Sequence, residues 1–331
     1  MSISDFSLTD DKQAGVQTWR TQEPVVLSVV APCYNEEESL DAFVARMLAA
    51  CEGAKLASYE LILVNDGSKD ATWTMIQAWA DRDPHVVGVN LARNHGHQLA
   101  VTAGLSITCG QRVMVIDADL QDPPELVSAM MAKMDEGYDV VFGRRRQRAA
   151  ESVFKKATAS LFYRTLQSLA DIDIPLDTGD FRLMSRRLVN RLNDMPEQDR
   201  FLRGMVAWLG GRQTALVYDR DPRFAGQTKY TLKKMLRLAI DGLIGFSTTP
   251  LRLATFLAIF GAFTAIAIAI YIVGSVVLGH VVPGWASTTF IVTFFSSAQL
   301  LCVGIVGEYV GRIYMQVKQR PLFMIDDVVK S

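Results

Sequence analysis

Val113-Met114-Val115-Ile116-Asp117-Ala118-Asp119-Leu120-Gln121-Asp122-Pro123-Pro124 is an apolar run that ends in two carboxylates one residue apart. A strand with this ending presents oxygen donors to a hard divalent cation, and such a cation neutralises a diphosphate. The same residues also suit a plain strand-to-helix turn, with Asp122 as the cap and Pro123 in the first helical turn. The segments on either side decide between the two.

Residues 25–31 are continuously apolar, as in a central parallel strand buried on both faces. Asn35 then has the chemistry of a helix cap. Glu36, Glu37 and Glu38 fill a first turn that favours anions, and Leu40, Phe43, Val44, Met47 and Leu48 recur at helical spacing. Residues 61–64, 86–91 and 140–142 repeat the apolar pattern, and Asp70 caps a helix running through Trp73, Ile76 and Trp79. Strands alternating with helices predict an α/β domain with a mostly parallel sheet.

In a parallel sheet every strand ends at the same edge, where ligands bind. Tyr34-Asn35-Glu36, Asn65-Asp66-Gly67-Ser68, Asp117-Ala118-Asp119 and Gly143-Arg144 each follow a predicted strand, so they converge there. Acidic groups crowded into one crevice repel unless a cation, or donors such as a base N–H and ribose hydroxyls, share them. A nucleotide with a metal meets that requirement. No G-x-G-x-x-G follows a strand and no G-x-x-x-x-G-K-[ST] occurs, which argues against the usual dinucleotide fold and against a P-loop.

The chain has 331 residues, more than one ordinary domain. Its formal charge of −1 gives no global basic field for nucleic acid, although Arg144, Arg145, Arg146 and Arg148 form a local run. Cys33, Cys51, Cys109 and Cys302 lack C-x-x-C spacing, which fits reduced thiols in a cytosolic setting. Residues 1–24 are polar, without the apolar core of a secretory signal, and are expected to be a loose arm. Stretches 253–278 and 281–307 contain no Asp, Glu, Lys or Arg, and each exceeds the ~20 residues that cross a bilayer. They predict transmembrane helices over 251–279 and 283–311. Lys233, Lys234, Arg237 and Arg252 precede the pair and Arg312, Lys318 and Arg320 follow it, while the connection carries neither Lys nor Arg. Positive charge thus places the globular domain and both termini on the cytoplasmic side of the inner membrane, with a cytoplasmic tail over 312–331. Residues 153–169 and 231–250 carry apolar stripes beside basic residues, as amphipathic helices lying in the headgroup region do.

Five motifs occur in the order found in the family 2 glycosyltransferases. They are Pro32-x-Tyr34-Asn35-Glu36, Val64-Asn65-Asp66-Gly67-Ser68-x-Asp70, Asp117-x-Asp119-Leu120-Gln121-Asp122-Pro123-Pro124-Glu125, Thr178-Gly179-Asp180-Phe181-Arg182 and Lys229-Tyr230. From residue 25 onward, apolar helices included, the chain resembles the polyprenyl-phosphate glycosyltransferases, similar to bactoprenol glucosyltransferases and dolichol-phosphate mannose synthases. The resemblance implies a GT-A (Rossmann-like) domain over 25–230, a UDP-sugar donor, undecaprenyl phosphate as lipid acceptor and inversion at the sugar. It also implies Mg²⁺ or Mn²⁺ on Asp119 and Gln121, nucleotide contacts from Pro32, Tyr34, Glu36, Asp66 and Asp117, and a homo-oligomer, a tetramer. Asp180 would face the reacting centre and Arg200 the acceptor.

Asp180 also suits a turn in which its carboxylate bonds to its own backbone. As a catalytic group it would orient the acceptor and stabilise positive charge at the anomeric carbon, with proton transfer as the lesser role. Arg144, Arg220, Arg223 and Lys229 carry the fork and point charges that suit phosphate oxygens, or serve only as positive-inside charge. His95 and His97 lie in the loop after the third strand and are read as part of a donor-contacting loop, without a ligand role. Glucose leads among the donor sugars, ahead of mannose, N-acetylglucosamine and formamido-aminoarabinose. A processive synthase is disfavoured because only two spans occur and Q-x-x-R-W is missing. The remaining rival is a membrane scaffold with a vestigial nucleotide site.

Overall fold

A computed structural model describes residues 24–146, 178–219, 249–278 and 284–331. The N-terminal arm, the helix expected over 153–169, nearly all of the one expected over 231–250, and Arg220, Arg223 and Lys229 lie outside the described residues.

The described residues form two units. In the first, β1 (Leu27–Cys33) pairs in parallel with β2 (Tyr59–Asn65) on one side and with β4 (Arg112–Val115) on the other. β3 (Val86–Leu91) extends the parallel set beside β2. β5 (Val140–Arg145) and β7 (Gln213–Tyr218) are also parallel to each other. β6 (Thr178–Ser185) runs antiparallel between β4 and β5, and β8 (Ile325–Lys330) antiparallel along β3. The eight-stranded sheet has the order β7-β5-β6-β4-β1-β2-β3-β8, so it is α/β, mixed and mostly parallel, as the alternation predicts.

Strand alternation sorts the core. Leu27, Val29, Ala31, Leu61 and Leu63 join Phe43, Val44 and Met47 of α1 (Leu40–Gly53) and Met130 and Met134 of α4 (Val127–Asp135) in one buried cluster. On the other face, α3 (His97–Ile107) lies against β1 and β2 at Gly104, where a Cβ would strike the side chain of Val30 and come within 3.0 Å of Val64. α3 can approach so closely because that residue lacks a side chain. α2 (Thr72–Arg82), α5 (Arg186–Asp194) and α6 (Leu202–Leu209) complete the helices of this unit.

The inverted strand β6 matters most for the site. An antiparallel strand begins where its parallel neighbours end, so the first residues of β6 share an edge with the last of β4. The register ends with Val115 paired to Arg182, so Asp117, two residues past that pair, and Asp180, two residues before Arg182, lie at the same end of the sheet. Asp180 is therefore a strand residue rather than a turn aspartate.

Within the tail expected over 312–331, the chain is structured. α8 (Trp285–Val317) continues to Val317, Phe323 is buried, and β8 closes the sheet beside β3. The second unit holds α7 (Thr249–Val277) and α8. Ala254–Ser275 and Ile291–Val317 are long and apolar enough to cross a membrane, with mean hydropathies of 2.5 and 1.6 and neither window buried in the protein. The two helices touch where the ring of Phe295 covers Gly261 and where the Cys302 thiol donates to the Ala254 carbonyl at 3.6 Å. At about 1.5 Å per residue the 33 residues of α8 outrun a ~30 Å hydrocarbon core, and the Glu308–Arg312 pair (3.2 Å) lies in its last third.

Phe323 anchors the return of the chain to the sheet. Phe323→Ala removes a fully buried ring and is expected to lower the stability of the globular unit by about 3 kcal/mol. The check is the midpoint of denaturant unfolding of the full chain.

Candidate active site

The β1 and β2 ends are sewn together. Asn35 adopts a left-handed conformation (φ 53°), which Asn tolerates better than most residues. Its N–H donates to Ser68 Oγ at 3.0 Å, and its Oδ1 accepts the Lys69 N–H at 2.9 Å. Asn35 is therefore not the cap of α1, which starts at Leu40 after Ser39. The Glu36 N–H donates to Thr72 Oγ1 (2.9 Å), and Asp70 accepts from the Thr72 N–H (3.1 Å) at the start of α2. Pro32 and Glu36 are half-buried around exposed Tyr34, so this loop presents Tyr34 at the strand edge.

Asp66 is buried at the end of β2, and its carboxylate accepts the N–H groups of His95 (2.7 Å) and Gly96 (2.9 Å). Burial nevertheless raises its pKa above the ordinary value, against the pull of those two amides. Asn94 Nδ2 donates to the Asp66 carbonyl at 3.0 Å. Gly67 (φ 64°) permits this, since a Cβ there would lie 2.5 Å from the Asn94 nitrogen. Asp66, expected at the nucleotide, thus holds the β3–α3 loop in place.

That loop delivers His97 and Gln98 to Asp180. His97 Nε2 is 3.0 Å from Asp180 Oδ2 and 3.6 Å from Asp117 Oδ1. Arg203, near the start of α6, grips Asp180 through Nε (2.7 Å) and a second nitrogen (3.2 Å). Gln98 donates to Asp180 at 3.4 Å and accepts the Leu202 N–H at 3.0 Å, joining α3, β6 and α6. Burial opposes ionisation of Asp180, yet the His97 bond and the Arg203 guanidinium hold its carboxyl well below the usual range. Burial also works against the charge on His97, but the bond to Asp180 and the fields of Asp117 and Asp180 outweigh it and raise the imidazole to about 9. Burial pushes Asp117 up, His97 pulls it back, and the charges of Asp180, Asp119 and Asp122 add to the rise, which ends at about 6.

Asp119 is oriented by Gln121, whose N–H (3.1 Å) and side-chain amide (2.8 Å) each donate to one of its oxygens. No group of three or more His, Cys, Asp or Glu gathers as a metal cage among the described residues. Asp119 and the Gln121 amide oxygen still fit Mg²⁺ or Mn²⁺, because such ions are commonly held by one or two carboxylates together with substrate phosphates. Asp122 is no helix cap. It is buried, accepts a hydrogen bond from the Tyr218 hydroxyl and faces Arg145 at 3.5 Å, while its Oδ2 has no partner among the described residues. Gly143 makes room, since a Cβ there would come within 2.6 Å of Phe181 and 2.8 Å of Tyr218.

Arg145 rather than Arg144 is therefore the member of the basic run that faces this acidic edge; Arg144 is exposed. Arg200 does not face it. Its buried guanidinium donates to the carbonyls of Leu192 and Met195 and closes the end of α5. Gln98, Arg203 and Tyr218 had no assigned role in the sequence, and His97 only a place in a donor-contacting loop without a ligand role. Gly96-His97-Gln98 offered a signal, because it follows a parallel strand that ends at this edge.

The charge on His97 is testable. Its folded pKa lies above the unfolded value of 6.5, so its contribution to stability is complete below about pH 6.5 and fades as the pH rises through about 9. Nitrogen-15 titration should show an imidazolium at pH 7.5, and Asp180→Asn should move the midpoint back toward 6.5.

The family described as Glycosyl transferase family 2 matches residues 28–192. The chain is 44% identical over 301 residues to the glycosyltransferase YkcC of Bacillus subtilis, covering 90% of this chain and 92% of that one. It is 37% identical over 300 residues to the bactoprenol glucosyl transferase of Shigella phage SfX (90% and 98%). It is 36% identical over 305 residues to the prophage bactoprenol glucosyl transferase homolog of Escherichia coli (92% and 99%). With this similarity running through the sheet, the acidic edge and both apolar helices, the chain belongs to the family 2 glycosyltransferases.

Proposed function

We propose that this glycosyltransferase moves a hexose, glucose first among candidates, from a UDP-sugar to undecaprenyl phosphate at the cytoplasmic face of the membrane, with inversion, in envelope glycan modification. The observation that carries this reading is the state of Asp180. It is ionised, buried and held by His97 and Arg203, so it offers negative charge but little basicity. A sugar hydroxyl needs a general base to become a nucleophile. A phosphate monoester, with a second pKa of about 6, arrives already deprotonated at pH 7. The bactoprenol glucosyl transferases among the relatives agree with such an acceptor.

The path of the chain agrees with a membrane site. It leaves the sheet after β7, forms two helices of spanning length and returns as β8 to the same sheet, and two crossings end on the side where they began. Gly274, Gly304, Gly307 and Gly311 have open space at their Cα positions, which suits close helix packing in a homo-oligomer such as a tetramer.

Within the site, Tyr34, Glu36 and the Asp66-held loop serve the nucleoside. Buried Asp117 Oδ1, which lacks a hydrogen-bond partner among the described residues, accepts a donor hydroxyl. Asp180 stabilises positive charge building at the anomeric carbon. Arg145 attracts the phosphates. Exposed Arg144 adds positive charge nearby, and Arg220, Arg223 and Lys229 are proposed from their sequence alone. Asp119 and Gln121 would hold Mg²⁺ or Mn²⁺, which when bound would supply charge neutralisation at the diphosphate.

The test is nucleotide release by the purified full chain in vesicles containing undecaprenyl phosphate and Mg²⁺ or Mn²⁺, with a panel of glucose, N-acetylglucosamine, mannose and formamido-aminoarabinose donors. UDP-glucose should give the highest turnover, and Asp119→Ala should lower it by about two orders of magnitude. Equal turnover in that variant removes the metal assignment. No turnover with any donor favours a scaffold instead.

A further inference from the structure

We propose that His97, set between Asp117 and Asp180, is a positioning residue that fixes the spacing of the donor-side and acceptor-side carboxylates. The inference rests on the transfer reaction proposed above and adds a residue to it. Asp117 lies just past the end of β4 and Asp180 near the start of its antiparallel neighbour β6, so the two come to the same end of the sheet. Two carboxylates that share one imidazole, Asp180 buried and Asp117 partly so, repel unless a cation stands between them. His97 Nε2 reaches both, hydrogen-bonded to Asp180 at 3.0 Å and within ion-pair distance of Asp117 Oδ1 at 3.6 Å. Arg203 holds Asp180 from α6, on a different element.

The place of His97 in the chain makes it a junction. It is the first residue of α3, directly after Gly96 (φ 92°), in a turn whose His95 and Gly96 amides hold Asp66. Gln98, next in sequence, reaches Asp180 and the start of α6. One turn therefore ties the ends of β2, β4 and β6 together. A residue acting through Asp117 and Asp180 changes the alignment of the reacting groups more than the affinity for either substrate. Misplacement of about 1 Å costs on the order of a hundredfold in rate.

The experiment uses the full chain in vesicles, with His97→Ala, His97→Gln and, as a control at the opposite sheet edge, His85→Gln. Thermal melting, kcat and the KM for donor and lipid phosphate are measured for each. His97→Ala should lower kcat by about a hundredfold while each KM stays within about threefold. His97→Gln retains an N–H for Asp180 and should recover about tenfold of that loss, and His85→Gln should match the wild type. Should His97→Ala melt early, the comparison rests on His97→Gln. A kcat within about threefold of wild type in both variants overturns the proposal, as does a donor KM raised tenfold at unchanged kcat. A second measurement separates this inference from the reaction itself. The chain has four histidines, so selective nitrogen-15 labelling resolves His97. Its Nε2 resonance should shift in both Asp117→Asn and Asp180→Asn, even in a preparation that transfers nothing. Lack of response to Asp117→Asn overturns the positioning role, whereas a clear response without transfer by the wild type rejects only the proposed reaction.

Discussion

The site depends on one strand running the wrong way. β6 enters between β4 and β5 antiparallel to both, and its first residues meet the last of β4 at the shared edge. Reversing it would carry Asp180 to the far side of the sheet. Everything else at the edge follows from having Asp117 and Asp180 at the same end of the sheet, including the bridging imidazole, the guanidinium of Arg203 and the Gln98 link to α6. Buried carboxylates in such numbers are tolerable only with matched donors, and nearly every element that ends at this edge contributes one.

The charges divide into two sets along the edge. Around Asp180 the donors are His97, Gln98 and Arg203, which keep it ionised. Around Asp122 they are Tyr218 and Arg145, packed over Gly143 and the buried ring of Phe181. Asp117 lies between the sets, more buried than paired, and its raised pKa records that imbalance. Asp117 Oδ1 and Asp122 Oδ2 are buried carboxylate oxygens without a hydrogen-bond partner among the described residues, on either side in sequence of the carboxylate that Gln121 holds in place.

Much of this was legible in the sequence because burial writes a period into it. The apolar runs that became β1 to β5, the stripe of α1 and the long uncharged stretches of α7 and α8 each announce their surroundings. The acidic edge was legible too, since parallel strands share one end. What was hidden depended on partners distant in sequence. Asn35 and Asp122 carry the chemistry of caps, yet Lys69 and Tyr218 claim their side chains. Arg200 resembles an acceptor contact, but the carbonyls at the end of α5 hold its guanidinium. The direction of β6 and the very existence of β8 leave no periodic trace, being short, mixed segments that are strands only because a neighbour offers them an edge.

β8 also sets an order of assembly. Residues 325–330 pair with β3 more than two hundred positions earlier, and Ala92, just before the His97 turn, donates its N–H to the Met324 carbonyl. Chains are made from the N-terminus, so these residues emerge from the ribosome only after both apolar helices. The β3 edge stays open until both apolar helices have been synthesised and passed. The sheet that carries the chemistry is thus completed only in a molecule that already owns its apolar helices, which ties maturation of the enzyme to the place where those helices settle.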